Sequence, residues 1–231
     1  MSLLAAGGGC LADSQAWICG EYLRTYSGDI QHALYQHITL TALALGIAFL
    51  VAIPLTALAL WRRWLRASLM AILGIVYTIP SLALFVLLQP VFGITHATPV
   101  IIALVGYAQL LLMRNILVGL DGVPAESIEA ARGLGYSPGQ LMWKVRLPLA
   151  LPAILAGVRI TTVSTIALLT VGGLINQGGL GTLLNQGFQR GINAQILASL
   201  VLIVALAIVA DLLLLIFQRT VTPWQRAKAR S

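Results

Sequence analysis

The sequence predicts an all-α membrane protein of five transmembrane helices, with its N-terminus outside and its C-terminus in the cytoplasm. Three observations carry that prediction: an extreme apolar bias, five long stretches nearly free of charge, and basic residues gathered in alternate connections. Of 231 residues, 59% are hydrophobic and 9% charged, with a mean hydropathy of +0.93. Soluble domains carry about 25% charged residues. A soluble core this apolar would leave large exposed patches and aggregate.

A spanning helix needs ~20 largely apolar residues. Segments 38–60 and 69–92 contain no charge. Segment 99–120 has only Arg114, near enough to one end to snorkel to the interface. Segment 148–175 holds Arg159, and 192–217 holds only Asp211. Pro54 and Pro80 fall inside the first two crossings, where proline frees a carbonyl and kinks a helix. Ahead of the first crossing, 15–36 is polar with apolar Ile30 and Leu34, a pattern for an amphipathic helix on the outer surface. Trp61, Trp64 and Trp224 sit at crossing ends, where interfacial anchoring accounts for them. The organisation expected is an extracytoplasmic segment 1–37, one membrane domain 38–220 with a cytoplasmic insert 121–148, and a tail 221–231. The first dozen residues lack the basic start and apolar run of a cleaved leader.

Lys and Arg accumulate on the cytoplasmic side of membrane proteins. With the N-terminus outside, Arg62, Arg63, Arg66, Arg114, Arg132, Lys144, Arg146, Arg159, Arg219, Arg226, Lys228 and Arg230 all fall inside. Only Arg24 and Arg190, of 14 basic residues, fall outside. The net charge of +7 therefore follows topology, and no basic-aromatic surface is left over for nucleic acid.

Residues 121–148 read as two short helices with a tight joint. Pro124 suits a first helical position, and Glu126 and Glu129 suit the early turns of a helix dipole. Gly133 and Gly135 can end that helix, and Ser137-Pro138 can cap and restart one. The full pattern is Glu129-Ala130-Ala131, three residues, Gly135, nine residues, Val145, one residue, Leu147-Pro148. It resembles the ATPase-docking loop, or EAA motif, of ABC importer permeases. Val145 stands where isoleucine is commoner. The bland alternative is an interfacial hairpin with no partner; the complete spacing favours docking. The resemblance makes Glu129, Ala130, Ala131, Gly133, Gly135 and Pro148 the coupling residues.

No Gly-x-x-x-x-Gly-Lys-[Ser/Thr] loop is present, so energy is expected from a separate ATPase and this chain is expected not to be an enzyme. Beyond the insert, Tyr77-Thr78-Ile79-Pro80-Ser81-Leu82-Ala83, Ala156-Gly157-Val158-Arg159, Gly178-Gly179-Leu180-Gly181, Ala210-Asp211 and Val221-Thr222-Pro223 resemble permeases of osmoprotectant importers. Those carry glycine betaine, choline, carnitine or proline betaine. Methionine-type permeases share the size and the EAA insert and form the alternative. The resemblance implies a second permease subunit, two ATP-binding subunits holding ATP and Mg, an extracytoplasmic substrate-binding protein, and a bacterial inner-membrane location. No cofactor is expected in this chain.

Path and gate candidates follow. Residues 172–181 hold five glycines, with Asn176, Gln177 and Gly179 placed for an outer gate; a flexible outer loop is the equal alternative. Tyr77 and Ser81 straddle Pro80, where a broken helix lines a cavity, and Tyr77 offers a cation–π face to a quaternary ammonium; simple packing is the commoner role for such a tyrosine. Tyr107 and Gln109 have weaker claims. Asp211 lies ~10 Å from the inner end of its crossing, so a structural ion pair with Arg159 is favoured over a cation or substrate site. Cys10 and Cys19 are favoured as free thiols, with a disulfide open if that end is outside. The histidines His32, His37 and His96 converge neither on a metal site nor on a catalytic pair.

Overall fold

The computed structural model describes residues 10, 14–92 and 97–224, and all regular structure among them is helical. His96, the segment before Cys10 and the tail bases Arg226, Lys228 and Arg230 lie outside the described residues. The helices are α1 (Gly20–Thr25), α2 (Ser27–Trp61), α3 (Arg63–Thr78), α4 (Ser81–Phe92), α5 (Thr98–Asp121), α6 (Ala125–Gly133), α7 (Pro138–Leu141), α8 (Leu147–Gly172), α9 (Leu180–Arg190) and α10 (Asn193–Val221). A π turn, Met142–Arg146, joins α7 to α8, and a 3-10 turn, Gly173–Ile175, follows α8. Four helical stretches are long and apolar enough to cross a membrane: Ser27–Trp61, Thr98–Asp121, Pro138–Ile175 and Asn193–Val221. The broken pair Trp64–Thr78 and Ser81–Phe92 makes a fifth if counted as one span.

That pair corrects the expectation of one kinked crossing over 69–92. The two helices are bent by 96°. Pro80 disfavours helical backbone at Ile79, and Thr78 Oγ1 donates to the Ile75 carbonyl at 2.7 Å, closing the last turn of α3. Leu84 N–H then donates to the Pro80 carbonyl at 3.0 Å, which starts α4. Pro54 has no such effect, and α2 runs through it as one 35-residue helix. Helix α2 also begins well before the expected crossing. No breaker lies between Gly28 and the expected crossing, so the segment read as a separate amphipathic helix over 15–36 becomes the short α1 plus the first turns of α2.

The chain forms two compact units: Met1–Gly46, Ile79–Val105 and Ser164–Ile208 make the first, and Ile47–Thr78, Gly106–Val163 and Val209–Ser231 the second. In the first, a disulfide joins Cys10 and Cys19 across a Cα–Cα distance of 5.5 Å. This overturns the preference for free thiols, because the chain turns back here and brings the two together. Buried Cys19, Tyr22 and Ala194 pack with Cys10, Ile30 and Ala198. Burial, with Tyr26 beside it, pushes the Tyr22 phenol up to about 12. Asn193 ties the segment down, its backbone N–H donating to Ser14 O at 3.0 Å and its Nδ2 to Gln15 O at 2.9 Å.

In the second unit α5 and α8 approach through small residues. A Cβ on Gly157 would come 2.2 Å from Asn115 Cβ, and one on Gly119 would meet Ala150 O and Ala153 Cβ at 3.1 Å. Small side chains are how apolar helices gain close packing in lipid, where no hydrophobic driving force separates them from solvent. Along α10, Val204, Ile208, Leu212 and Ile216 stay exposed at four-residue spacing, an apolar stripe suited to lipid or another membrane helix.

Candidate functional site

The insert between α5 and α8 is rigid because each of its ends is fixed. Helix α6 follows Pro124 and ends at a left-handed glycine, Gly135 at φ +78°. Gly135 N–H donates to Arg132 O at 2.9 Å and Tyr136 N–H to Ala131 O at 3.1 Å, the pair of bonds that closes a Schellman cap. Two residues on, Ser137 Oγ accepts from Gln140 N–H while Gln140 Oε1 accepts from Ser137 N–H, a complete capping box with Pro138 in the first turn.

The second short helix is not separate. Through the π turn it becomes the start of the Pro138–Ile175 span. Pro148 explains the widened turn, since it lacks the N–H that would bond four residues back and its ring crowds that carbonyl.

Beneath the insert, Leu120, Val123 and Ala150 form a buried cluster that takes in Ile128 of α6 and Met142. Arg66 pairs with Asp121 at the end of α5, and Arg146 donates to the Leu120 carbonyl at 3.1 Å. Of the motif alanines only Ala131 faces inward; Glu129, Ala130, Gly133 and Gly135 are exposed. Beside them Leu134 and Trp143 are 77% and 71% exposed, an apolar surface on a polar insert. The sequence reading missed Trp143 and the Arg66–Asp121 pair, whose partners stand 55 positions apart.

The glycine-rich stretch is tightly folded. Asn176 takes a left-handed conformation at φ 59° and Gly179 lies at φ +50°. A Cβ on Gly181 would come 2.2 Å from Thr170 O, and one on Gly173 would fall 1.9 Å from the Gly181 carbonyl carbon. Backbone therefore lies on backbone, and the turn leads directly into α9, which the sequence reading did not anticipate. Asn185 Nδ2 donates to Gly173 O at 3.3 Å and Gln195 Nε2 to Leu183 O at 2.9 Å, fastening α9 from both sides. Asn176 is exposed, Gln177 partly buried and Gly179 buried.

His37, set aside in the sequence as an unpaired boundary residue, is fully buried against this turn. Its Nδ1 lies 3.2 Å from Gly178 O and its Nε2 3.2 Å from Ile166 O. No local spacing signals this, because its partners stand 141 and 129 positions away.

Within the second unit, Tyr77 is partly exposed and meets Tyr107 edge to face with ring centroids 5.8 Å apart. Gln109 is buried and donates to Ala48 O at 2.9 Å. Pro80 and Ser81 form the break before α4 and belong to the first unit, as do Asn176, Gln177 and Gly179. Arg159 and Asp211 pair, with Nε to Oδ1 at 2.8 Å and a terminal nitrogen to Oδ2 at 2.7 Å.

Residues 42–227 match the family of the binding-protein-dependent transport system inner membrane component. The chain belongs to this family. As a permease of this kind, it is an integral inner-membrane component of an ABC importer, and membership implies ATPase and substrate-binding partners. The permease is 33% identical over 213 residues to the choline transport system permease protein OpuBB of Bacillus subtilis (strain 168), covering 91% of this chain and 98% of that one. It is 35% identical to the osmoprotectant import permease protein OsmW of Salmonella typhimurium, covering 88% of this chain and 96% of that one. Among solved structures, an inward-facing conformation of the MetNI methionine ABC transporter superposes with a TM-score of 0.74 at 25% identity, covering 86% of the permease and 98% of that chain.

Proposed function

We propose that this permease moves compatible solutes (glycine betaine, choline, carnitine or proline betaine) across a bacterial cytoplasmic membrane, driven by two partner ATPases that hold ATP and Mg. The observation that carries the substrate class is full-length similarity to permeases named for choline and osmoprotectant transport. A second permease subunit completes the pore, and an extracytoplasmic binding protein delivers the solute. ATP binding closes the ATPases, the insert moves, and the pore alternates between outward and inward access, which requires differential contacts in the two states rather than tight binding in either.

Coupling runs through Glu129–Gly135 and its neighbours. The double capping and the buried seat around Ile128 support this role, because a stiff insert transmits a push that a floppy loop would absorb. Tyr77, Pro80, Ser81, Asn176, Gln177 and Gly179 belong to the path and its gate, while Arg159 and Asp211 hold α8 to α10 as a structural pair. The insert and the C-terminus lie in the cytoplasm and the N-terminus outside. The Cys10–Cys19 disulfide supports that placement, since disulfides persist in oxidising compartments.

Uptake of labelled glycine betaine, choline and carnitine in cells lacking other routes, with and without the gene cluster, tests the reading. Cluster-dependent uptake of at least one is expected. Uptake of methionine alone would instead place the protein with the methionine-type permeases.

A further inference from the structure

Helix α2, helix α8 and the glycine turn meet at a single side chain in the first unit. His37 projects from α2 with no solvent exposure and directs one ring nitrogen at Gly178 O and the other at Ile166 O, each at 3.2 Å. At the same level Gly179 presses on the α2 backbone, and a Cβ there would fall 2.7 Å from both Ala33 O and His37 N. Both carbonyls have other donors, Gly181 N–H for Gly178 and Thr170 Oγ1 for Ile166. The ring is therefore not needed to satisfy them. What it adds is a cross-link between three elements.

The proton count of that cross-link is unusual. Carbonyl oxygens only accept, and a neutral imidazole has one N–H, so it can bond one of the two; an imidazolium donates to both. The charged and titratable groups on the packed elements stand away from the ring. On α2 they are Tyr35, whose side chain is exposed while His37 is buried, and His32 and Asp29, about 7 and 12 Å back along the helix; on α8, Arg159 lies about 10 Å along from Ile166; on α9, Arg190 ends the helix. Among the described residues none of them bonds to His37, whose recorded partners are the two carbonyls.

We propose that His37 is a gate-positioning residue: it latches the Gly178–Gly179 turn to α2 and α8, and releasing the turn is a step in opening the gate to solute. The proposal rests on reading residues 172–181 as the gate. A protonated ring closes the latch with two bonds and a neutral ring with one.

The test uses the complete reconstituted transporter with its ATPases and binding protein. Cys10 and Cys19 are joined, so a cysteine at the exposed Leu174 (L174C) is the single reactive thiol of the permease, and labelling read on the permease band alone reports on the turn. Its labelling by a membrane-impermeant maleimide is measured without nucleotide, with a non-hydrolysable ATP analogue, and from pH 8 down to pH 5. In the His37 protein, the analogue accelerates labelling and lower pH slows it. H37F accelerates resting labelling about tenfold, the size of one lost buried hydrogen bond. H37Q, which keeps one donor group, falls between and loses the pH dependence. Labelling in H37Q and H37F equal to that of the His37 protein overturns the latch. Faster labelling in both variants with no response to the analogue in the His37 protein overturns the gating step and places the failure in the gate reading. If H37F does not assemble, H37Q and the pH profile decide: a flat profile in the His37 protein overturns the proposal.

Discussion

Arg159 meets Asp211 through two parallel bonds, 2.8 Å from Nε and 2.7 Å from a terminal nitrogen, across a separation of 52 residues. Fork-to-fork contact of this kind fixes orientation as well as charge. Each side chain would be costly alone at membrane depth.

The pair predicts a specific pattern of loss. D211N leaves Arg159 an unmatched charge and lowers the amount and thermal stability of assembled permease, with the order of solute preference unchanged. The double change R159Q/D211N recovers part of that loss, because both charges go together. Size-exclusion recovery and a melting curve measure the first effect, and competition uptake the second. A changed solute preference with intact assembly would sink the structural role.

Helix α6 depends on a left-handed residue at its end. G135A forces a Cβ into φ +78°, at a cost of about 1 kcal/mol. Space around Gly135 is open, so the permease still inserts while the insert loses its fixed exit. Recovery of the ATPase in pull-downs falls several-fold, and E129A gives the same result without disturbing the cap. G139A, also in open space and at ordinary backbone angles, serves as the control and retains the ATPase.

The glycine turn tolerates no added carbon where backbone meets backbone. G181A drives a methyl group to 2.2 Å from Thr170 O, a clash worth about 1–3 kcal/mol even after relaxation. Uptake is expected to disappear while the ATPase still co-purifies, since the insert is untouched. Normal uptake by G181A would remove the close packing from the account of the gate.

The Cys10–Cys19 bond predicts topology as well as stability. In intact cells a membrane-impermeant maleimide labels neither cysteine until an impermeant reductant is added, and then labels both. Closing so short a loop contributes about 2.5 kcal/mol by chain entropy, so C19S lowers the melting temperature without abolishing uptake. Labelling only after the membrane is permeabilised would invert the orientation.

Much of this molecule was legible in its residue order because a bilayer imposes strong rules. Charge-free stretches of ~20 residues have few alternatives to a spanning helix, and the caps of the insert are local signals read by residues a few positions away. The sharp break at Pro80 was half visible: proline announced an interruption, but its size depended on how α3 and α4 each found packing. The smooth passage of α2 through Pro54 shows the same residue type with the opposite outcome. Helix α9 escaped notice because it follows directly on a glycine-rich stretch, and its buried Asn185, like the Gln195 that packs on it, is satisfied only by contacts that folding brings together.

The sequence by itself determined the membrane class, the hydrophobic segments, the capped insert and the family to which the chain belongs, since each rests on composition or on short motifs whose residues stand close together in the chain. Tertiary structure alone decided that Cys10 joins Cys19, that Arg66 holds Asp121, and that His37 reaches the Gly178 turn and α8. Two of these three contacts join residues more than 50 positions apart; the third needed the chain to turn back on itself. Such meetings depend on how helices pack, and no pattern within a single helix encodes them.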